Sequence, residues 1–160
     1  MKGIAEIKLS QNLVAIIDKE DFEFLNKWKW HAFRKDKNSS YYAIRTDYSN
    51  GKKSIRMHRL LFEKYNQINV IEVDHIDGNG LNNTKQNLRH CNRSENCMNR
   101  KPFGLIKLKG VDKKQGLFRA RITVNKKTIF LGYFETKEMA ADAYNNAAIK
   151  YHKDFKRLNL

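Results

Sequence analysis

Residues 117–124 alternate so regularly that only an extended, paired chain accommodates them. Phe118, Ala120, Ile122 and Val124 fall on one side of such a strand, and Arg119, Arg121 and Thr123 fall on the other. A Lys-Lys-Gln-Gly turn precedes Leu117 and an Asn-Lys-Lys turn follows Val124. This stretch is therefore the middle strand of an antiparallel meander that begins at Gly110-Val111 and ends with Thr128 to Phe134. Thr136 then caps a helix in which Ala140, Ala143, Ala147 and Tyr151 recur at helical spacing, with Tyr144 and Ala148 flanking the stripe. Alanines let a helix lie close on a sheet. The expected module is a three-stranded antiparallel sheet packed on one helix, its Arg119 and Arg121 face left open because no other apolar element remains to cover it.

The rest of the chain reads as a separate α+β part. Leu13 to Ile17 is a short apolar strand, and Asp18 is placed to cap a helix carrying Glu20, Phe22, Leu25 and Trp28. From Trp30 the pattern returns to strand. Tyr41 to Thr46 alternates, and Asn50-Gly51 has the composition of a two-residue hairpin turn leading into Ser54 to Met57. Helical spacing resumes over His58 to Tyr65, and Val70 to Val73 forms another apolar strand. The single proline, in Pro102-Phe103-Gly104, marks a linker. The domain plan is thus a sheet-rich segment over 1–56, a central part over 57–101, a linker over 102–106 and the sheet-and-helix module over 107–160.

Charge narrows the partner. The chain has 32 Lys+Arg against 17 Asp+Glu, a formal net charge of +15, and the excess is spread over both halves. A polyanion contacting both is the natural ligand, because each cation that meets a phosphate releases counterions. Nucleic acid is favoured over a membrane, since the basic residues sit among strand-like aromatics and no segment has a strongly apolar face beneath a basic one. The N-terminal MKGIAEIKLSQNL lacks an apolar signal core and no segment is apolar enough to span a bilayer, so a cytoplasmic protein is expected. Cys91 and Cys97 lack the Cys-x-x-Cys spacing of a zinc site and read as small buried residues. Nine Phe, seven Tyr and two Trp are ample core material, and at least one of Trp28 and Trp30 should be buried.

Between Asp74 and Arg100 lies the most asparagine-rich part of the chain. Asp74-His75 ends an apolar strand, Asp77-Gly78 and Asn79-Gly80 are turn formers, Leu88 to Cys91 is a returning strand, and Ser94 can begin a short helix. Two strands and a helix would gather polar side chains at one spot. A carboxylate and an amide oxygen are hard ligands suited to a loosely held magnesium ion. A neutral imidazole can take a proton from water, and an amide can hold its other nitrogen. These are the parts of metal-assisted phosphodiester hydrolysis. His58 and His90 are assigned structural roles, and Asp77 a turn role.

The blocks Met57-His58-Arg59-Leu60, Asp74-His75-Ile-Asp77-Gly78-Asn79, Asn87-Leu88-Arg89 and Glu95-Asn96 resemble the HNH nuclease family, in the asparagine-ending form of phage and intron-encoded homing endonucleases. The resemblance implies a ββα-metal fold, His75 as general base, Asn87 orienting its imidazole, and Asp74 with Asn96 holding one divalent metal, Mg2+ or Mn2+. The segments Lys109-Gly110-Val111, Gly116 to Ile122, Phe130 to Thr136, Ala140 to Tyr144, Ala147 to Lys150 and Arg157-Leu158-Asn159 resemble the ethylene-response-factor, Apetala-type, DNA-binding domain. That likeness implies that Arg119, Arg121, Thr123, Thr128 and Phe130 face double-stranded DNA, with Lys113 and Lys114 nearby. Asp112, Lys113 and Lys114 stand where plant domains carry tryptophans and arginines, and Phe130 where a tryptophan is usual, so the plant base preference does not carry over. In the N-terminal segment, Lys53 and Arg56 are the candidates for backbone contact.

Together these imply a monomeric, site-specific DNA endonuclease, a homing enzyme of a bacterial or phage-infected cell, tethered to its own DNA-reading sheet. A non-catalytic DNA-binding regulator on a degenerate nuclease scaffold is the alternative, and an RNA-directed nuclease is a third.

Overall fold

The computed structural model describes residues 3–67, 72–102 and 105–159. It divides into two compact units, Met1–Cys91 and Asn92–Leu160. Phe103 and Gly104 of the expected linker, and Val70 and Ile71 of the expected strand, lie outside the described residues.

The first unit is α+β. Strands β1 (Ile4–Lys8) and β2 (Val14–Asp18) form an antiparallel hairpin, followed by a short helix α1 (Phe22–Leu25). Strands β3 (His31–Phe33), β4 (Tyr42–Asp47) and β5 (Lys53–Arg56) form a second antiparallel sheet that runs directly into helix α2 (Met57–Asn66). Strands β6 (Glu72–His75) and β7 (Leu88–Cys91) form a third pair, in the register Asp74 opposite Arg89 and His75 opposite Leu88. One apolar cluster joins them: Ile7 and Ile17 of the first hairpin, Trp30 and Ala43 of the second sheet, Met57 and Leu61 of α2, and Val73 with Leu88 of the third. Asp21, fully buried, ties the start of α1 to the end of α2 by accepting hydrogen bonds from Lys64 Nζ at 2.6 Å and from the Tyr65 hydroxyl. A carboxylate without water is tolerated only when so paired.

Two local expectations are corrected, and one concerning the tryptophans holds. Asp18 does not cap a helix; its Oδ2 instead accepts the Lys85 backbone N–H at 2.7 Å. The β4–β5 turn is longer than two residues, because Asp47 opposite Lys53 is its closing pair and residues 48–52 bridge it. Of Asn50-Gly51 only Gly51 has a positive φ, +82°, whereas the two-residue type I′ turn needs two. Trp30 is buried, donating its indole N–H to Leu25 O at 2.9 Å, while Trp28 is half-buried with the Arg45 guanidinium 4.5 Å above its ring.

The second unit opens with helix α3 (Arg93–Asn99), which follows β6 and β7 in chain order. Its N-cap is Asn92 rather than a residue at Ser94: Asn92 Oδ1 accepts Glu95 N–H at 3.0 Å while Glu95 Oε2 accepts Asn92 N–H at 2.8 Å. At the other end Lys109 Nζ donates to the carbonyls of Cys97, Met98 and Arg100. Cys91 is buried as expected, but Cys97 is exposed on this helix. Then come β8 (Val111–Lys114), β9 (Leu117–Val124) and β10 (Lys127–Phe134), an antiparallel sheet with β9 in the middle, and helix α4 (Lys137–His152). Thr136 caps α4 by accepting Met139 N–H. Alternation holds along β9: Ala120 and Ile122 are buried under the helix, and Arg121 and Thr123 are exposed.

The stripe that meets the sheet is Ala140, Tyr144, Ala147 and Ala148, so Tyr144 is the aromatic anchor and Tyr151 lies partly outside. Gly110 is the tightest point. Its φ is +69°, and a Cβ there would sit 2.2 Å from the Tyr144 ring and 2.4 Å from Arg121 O. Gly110→Ala should therefore destabilise the sheet-and-helix unit by about 2 kcal/mol or more, read as a lower midpoint in circular dichroism melts. An unchanged midpoint would show that Tyr144 and the backbone can move aside.

Candidate active site

The site of the first unit is built on the loop between β6 and β7. That loop cannot be a regular element, and asparagines take over its backbone hydrogen bonding. Asp77 Oδ1 accepts Asn79 N–H at 2.7 Å, Asn79 Oδ1 accepts Leu81 N–H at 3.1 Å, and Asn82 Oδ1 accepts the Thr84 hydroxyl at 2.9 Å. The loop is then clamped from outside by the exposed edge of β2, where Ile16 N–H donates to Leu81 O at 2.8 Å and Asn83 N–H donates to Ile16 O at 2.7 Å. Asn83 is left fully buried.

Asp74 and His75 end β6, and both are buried. His75 Nε2 lies 3.3 Å from Asn83 Oδ1. Since Asn83 Nδ2 donates to Leu81 O, its oxygen is the atom presented to the ring. The carboxamide that sequence assigned to orient His75, that of Asn87, is used elsewhere. It donates to Asp77 Oδ1 at 3.0 Å and to Asn82 O at 2.7 Å, and accepts Asp77 N–H at 3.1 Å. Asn87 thus fixes the loop that delivers Asn83, and Asn83 is the residue the sequence missed. Its signal was the Asn82-Asn83-Thr84 run, which does not distinguish one carboxamide from its neighbour.

Around the imidazole, His58 of α2 and Tyr42 of β4 complete a cluster of rings. The His58 and His75 centroids are 4.9 Å apart, Tyr42 lies 5.4 Å from His58 and 5.9 Å from His75, and the Arg56 guanidinium is 5.9 Å from the Tyr42 ring. Gly80 keeps the loop against this cluster, since a Cβ there would approach Tyr41 O to 2.3 Å and the Tyr42 ring to 2.9 Å. Burial lowers the His75 pKa; the Asn83 hydrogen bond and the charges of Asp77 and Asp74 oppose it in part. Burial, then the neighbouring His75, Arg56 and Arg59, holds His58 well below the ordinary histidine range, and its Nδ1 is buried without a hydrogen-bond partner. Burial works to raise Asp77, but hydrogen bonds from Asn79, Asn82 and Asn87 prevail and keep it ionised.

Asp74 Oδ2 accepts two hydrogen bonds from one guanidinium, Arg89 Nε at 3.0 Å and an Arg89 terminal nitrogen at 2.7 Å. Among the described residues no group of three or more His, Cys, Asp or Glu side chains converges as a metal cage. The donor chemistry of Asp74 still fits a hard cation held in part by water and phosphate, with its carboxylate shared with Arg89. Asn96, the other candidate ligand, lies in the first turns of α3 in the second unit. His90 is exposed on β7.

Of the candidate DNA contacts, Lys53 and Arg56 are exposed on β5. On the open face of the second unit, Arg119 lies opposite Asp112 and Tyr133, Arg121 opposite Phe130, and Thr123 opposite Thr128, their hydroxyls 3.3 Å apart. A bulge between Phe130 and Gly132 brings Tyr133 onto the same face as Phe130, ring centroids 5.1 Å apart. Lys114 shares the Asp112 side of β8 by alternation, whereas Lys113 lies over Phe118 on the other.

A histidine that folds neutral and is exposed on unfolding binds more protons in the unfolded chain, so stability is complete above its ordinary pKa near 6.5 and falls as pH drops below it. Both tryptophans lie in this unit. Their fluorescence should report a midpoint that falls between pH 7.5 and pH 5, and His58→Gln should flatten that fall. An equal slope in the variant would exclude His58 as its source.

No helix among the described residues is long and apolar enough to cross a membrane. No family model matches the chain. The chain is similar to a protein of Acanthamoeba polyphaga mimivirus described as an uncharacterized HNH endonuclease, with 29% identity over 145 residues that cover 88% of this chain and 72% of the relative. At that coverage the similarity runs through both units. It supports an HNH nuclease family for this chain.

Proposed function

We propose that the chain is a DNA endonuclease of the HNH type, with His75 as the general base. The observation that carries this reading is the placement of His75: buried beside Asp74 at the end of β6 and oriented by the Asn83 oxygen. An Nε2–H that donates to Asn83 leaves the lone pair on Nδ1, which removes a proton from the attacking water. The resulting hydroxide adds to phosphorus, the bond from phosphorus to the leaving oxygen breaks, the leaving alkoxide takes a proton from solvent, and the imidazolium returns its own proton to solvent. Asn83 holds the ring in this tautomer, and Asn87 acts one step back by fixing the loop. Asp74, and Asn96 on the motif alone, are proposed as ligands of one divalent metal, Mg2+ or Mn2+, which when bound supplies stabilisation of charge on the scissile phosphate. Arg56 and Lys53 are proposed to meet the backbone of the same duplex.

The second unit is proposed as the part that chooses the site. Its open sheet resembles an ethylene-response-factor domain and presents Arg119, Arg121, Thr123, Thr128 and Phe130, with Lys114 at its edge, to double-stranded DNA. Lys113 remains a candidate for phosphate contact from the other side of β8. Two modest binders on one chain raise each other's effective concentration, which suits an enzyme with rare targets such as a homing endonuclease. One such centre cuts one strand at a time, so a monomer nicks. The Arg89 pairing of Asp74 favours a second reading, a non-catalytic DNA-binding regulator, because that carboxylate already has its charge balanced.

Supercoiled plasmid incubated with the protein and Mg2+, Mn2+ or chelator separates these. The expected result is metal-dependent conversion to open circles, slowed about a hundredfold or more in His75→Ala, with gel retardation of DNA retained. Undiminished cleavage by that variant rules out His75 as the base. Retardation by the wild-type protein without cleavage, on plasmids carrying a library of inserts, leaves the regulator.

A further inference from the structure

The open face of the second unit contains one carboxylate that its arginines do not share with any core element. Asp112 Oδ1 accepts Arg119 Nε at 2.9 Å, Asp112 Oδ2 accepts a terminal nitrogen of Arg119 at 2.8 Å, and the same Oδ2 accepts a terminal nitrogen of Arg121 at 2.9 Å. These residues lie on the solvent side of the sheet, with the Arg121 side chain half exposed. An anion in a DNA-facing surface works against affinity, because it repels phosphate and cancels charge that would release counterions. Among exposed groups an ion pair contributes little to folding, so stability does not account for it.

Geometry supplies a different use. A guanidinium has two kinds of edge, and Asp112 occupies the side edge of Arg119, formed by Nε and one terminal nitrogen. The end edge, with one hydrogen from each terminal nitrogen, takes no part in that bidentate pair, and the Tyr133 hydroxyl is a further hydrogen-bond partner of the same guanidinium. That edge is the one that pairs with two acceptors in a plane, such as O6 and N7 of guanine in the major groove. Arg121, two residues on and on the same face, is drawn to the same oxygen. Free arginines on a sheet would sample many rotamers and meet any phosphate in reach. Arginines joined to one carboxylate lose that freedom before DNA arrives, so the ordering cost is not repeated on binding. Tyr133, opposite Arg119 across β10, flanks the pair on its other side.

We propose that Asp112 is a specificity-determining residue: it aligns the guanidinium groups of Arg119 and Arg121 so that they read two neighbouring guanines of one strand, at the expense of non-specific affinity. The proposal rests on the reading of this sheet as a DNA-binding face. Alternate positions of a strand lie about 6.6 Å apart, roughly two base steps of about 3.4 Å, and convergence on one oxygen draws the tips closer, so the expected spacing is one or two steps.

The full chain, in chelator so that nothing is cut, is equilibrated with a pool of 20-base-pair duplexes randomised at their centre, and the bound fraction is sequenced. The expected wild-type motif has two guanines on one strand, adjacent or one step apart. Replacing both by adenine in the best duplex should weaken binding about tenfold or more, and 7-deazaguanine, which lacks N7, should weaken it in the same direction. Asp112→Asn and Asp112→Ala should bind the adenine duplex more tightly than the wild type does and lose most of that discrimination. Asp112 is on the open face, so circular dichroism should be unchanged, and either folded variant decides the question. Salt-dependent binding with no guanine in the motif, or variants that discriminate as well as the wild type, overturns the proposal while leaving the DNA-binding face intact. Salt-independent or absent binding to every duplex removes both.

Discussion

Two backbone hydrogen bonds from the edge of β2, at Ile16, hold the loop on which the first unit's chemistry depends. An unpaired strand edge is usually a liability, open to pairing with other chains. Here it is spent on a segment that could not order itself, since residues 76–87 contain no strand and only a single 3-10 turn. Once Ile16 has paired with Leu81 and Asn83, Asn83 has nowhere to point but into the protein, and its oxygen meets His75. The apolar cluster that buries Ala15 and Ile17 beside Ile16 thereby also sets the imidazole. Packing and chemistry are joined by one strand.

Charge is handled at two levels. The whole chain carries +15, a long-range field that draws in polyanions regardless of their sequence. Several individual arginines are nevertheless tied down: Arg45 over Trp28 and against Asp47, Arg89 on Asp74, Arg119 and Arg121 on Asp112. The exposed lysines, Lys53 and Lys114 among them, are the mobile part of the field. Held arginines can select by shape, whereas unheld lysines act as point charges. A basic surface thus divides into a part for affinity and a part for discrimination.

How far the sequence could be read follows from which interactions are local. Period-two alternation in Phe118 to Val124 and the capping threonine at Thr136 are set by neighbours in the chain, and the strands and helix are where they were expected. Long-range partners were illegible. Asp18 has the composition of a helix cap, but its acceptor is taken by Lys85, 67 residues away. Tyr144 and Tyr151 sit on nearly the same helical stripe, and only the absence of a side chain at Gly110 makes room for the first. The bulge at Gly132 shifts the alternation by one, so Tyr133 joins Phe130 on the open face against a strict period of two. In the site loop, the carboxamide that meets His75 was not legible: the choice between Asn83 and Asn87 depends on the β2 edge.

The asparagines in that loop combine two hydrogen-bonding roles without adding charge. Turns of this kind are built equally well by aspartate, which accepts the same backbone hydrogen bonds. Each aspartate would add a negative charge close to Asp77, and at contact distance like charges in a poorly solvated site cost several kcal/mol. Asn79 accepts the Leu81 N–H as an aspartate would, while Asn83 and Asn87 donate to the carbonyls of Leu81 and Asn82, which a carboxylate cannot do. Asn82 and Asn87 together also hydrogen-bond the Asp77 carboxylate and so spread the one negative charge the loop carries. With Arg89 paired to Asp74, one of the two carboxylates whose charge acts on His75 is itself balanced. An arginine against the imidazole would lower the basicity of the ring, and an aspartate would protonate it. Burial holds the imidazole toward its neutral form, and the Asn83 carboxamide fixes the orientation of the ring.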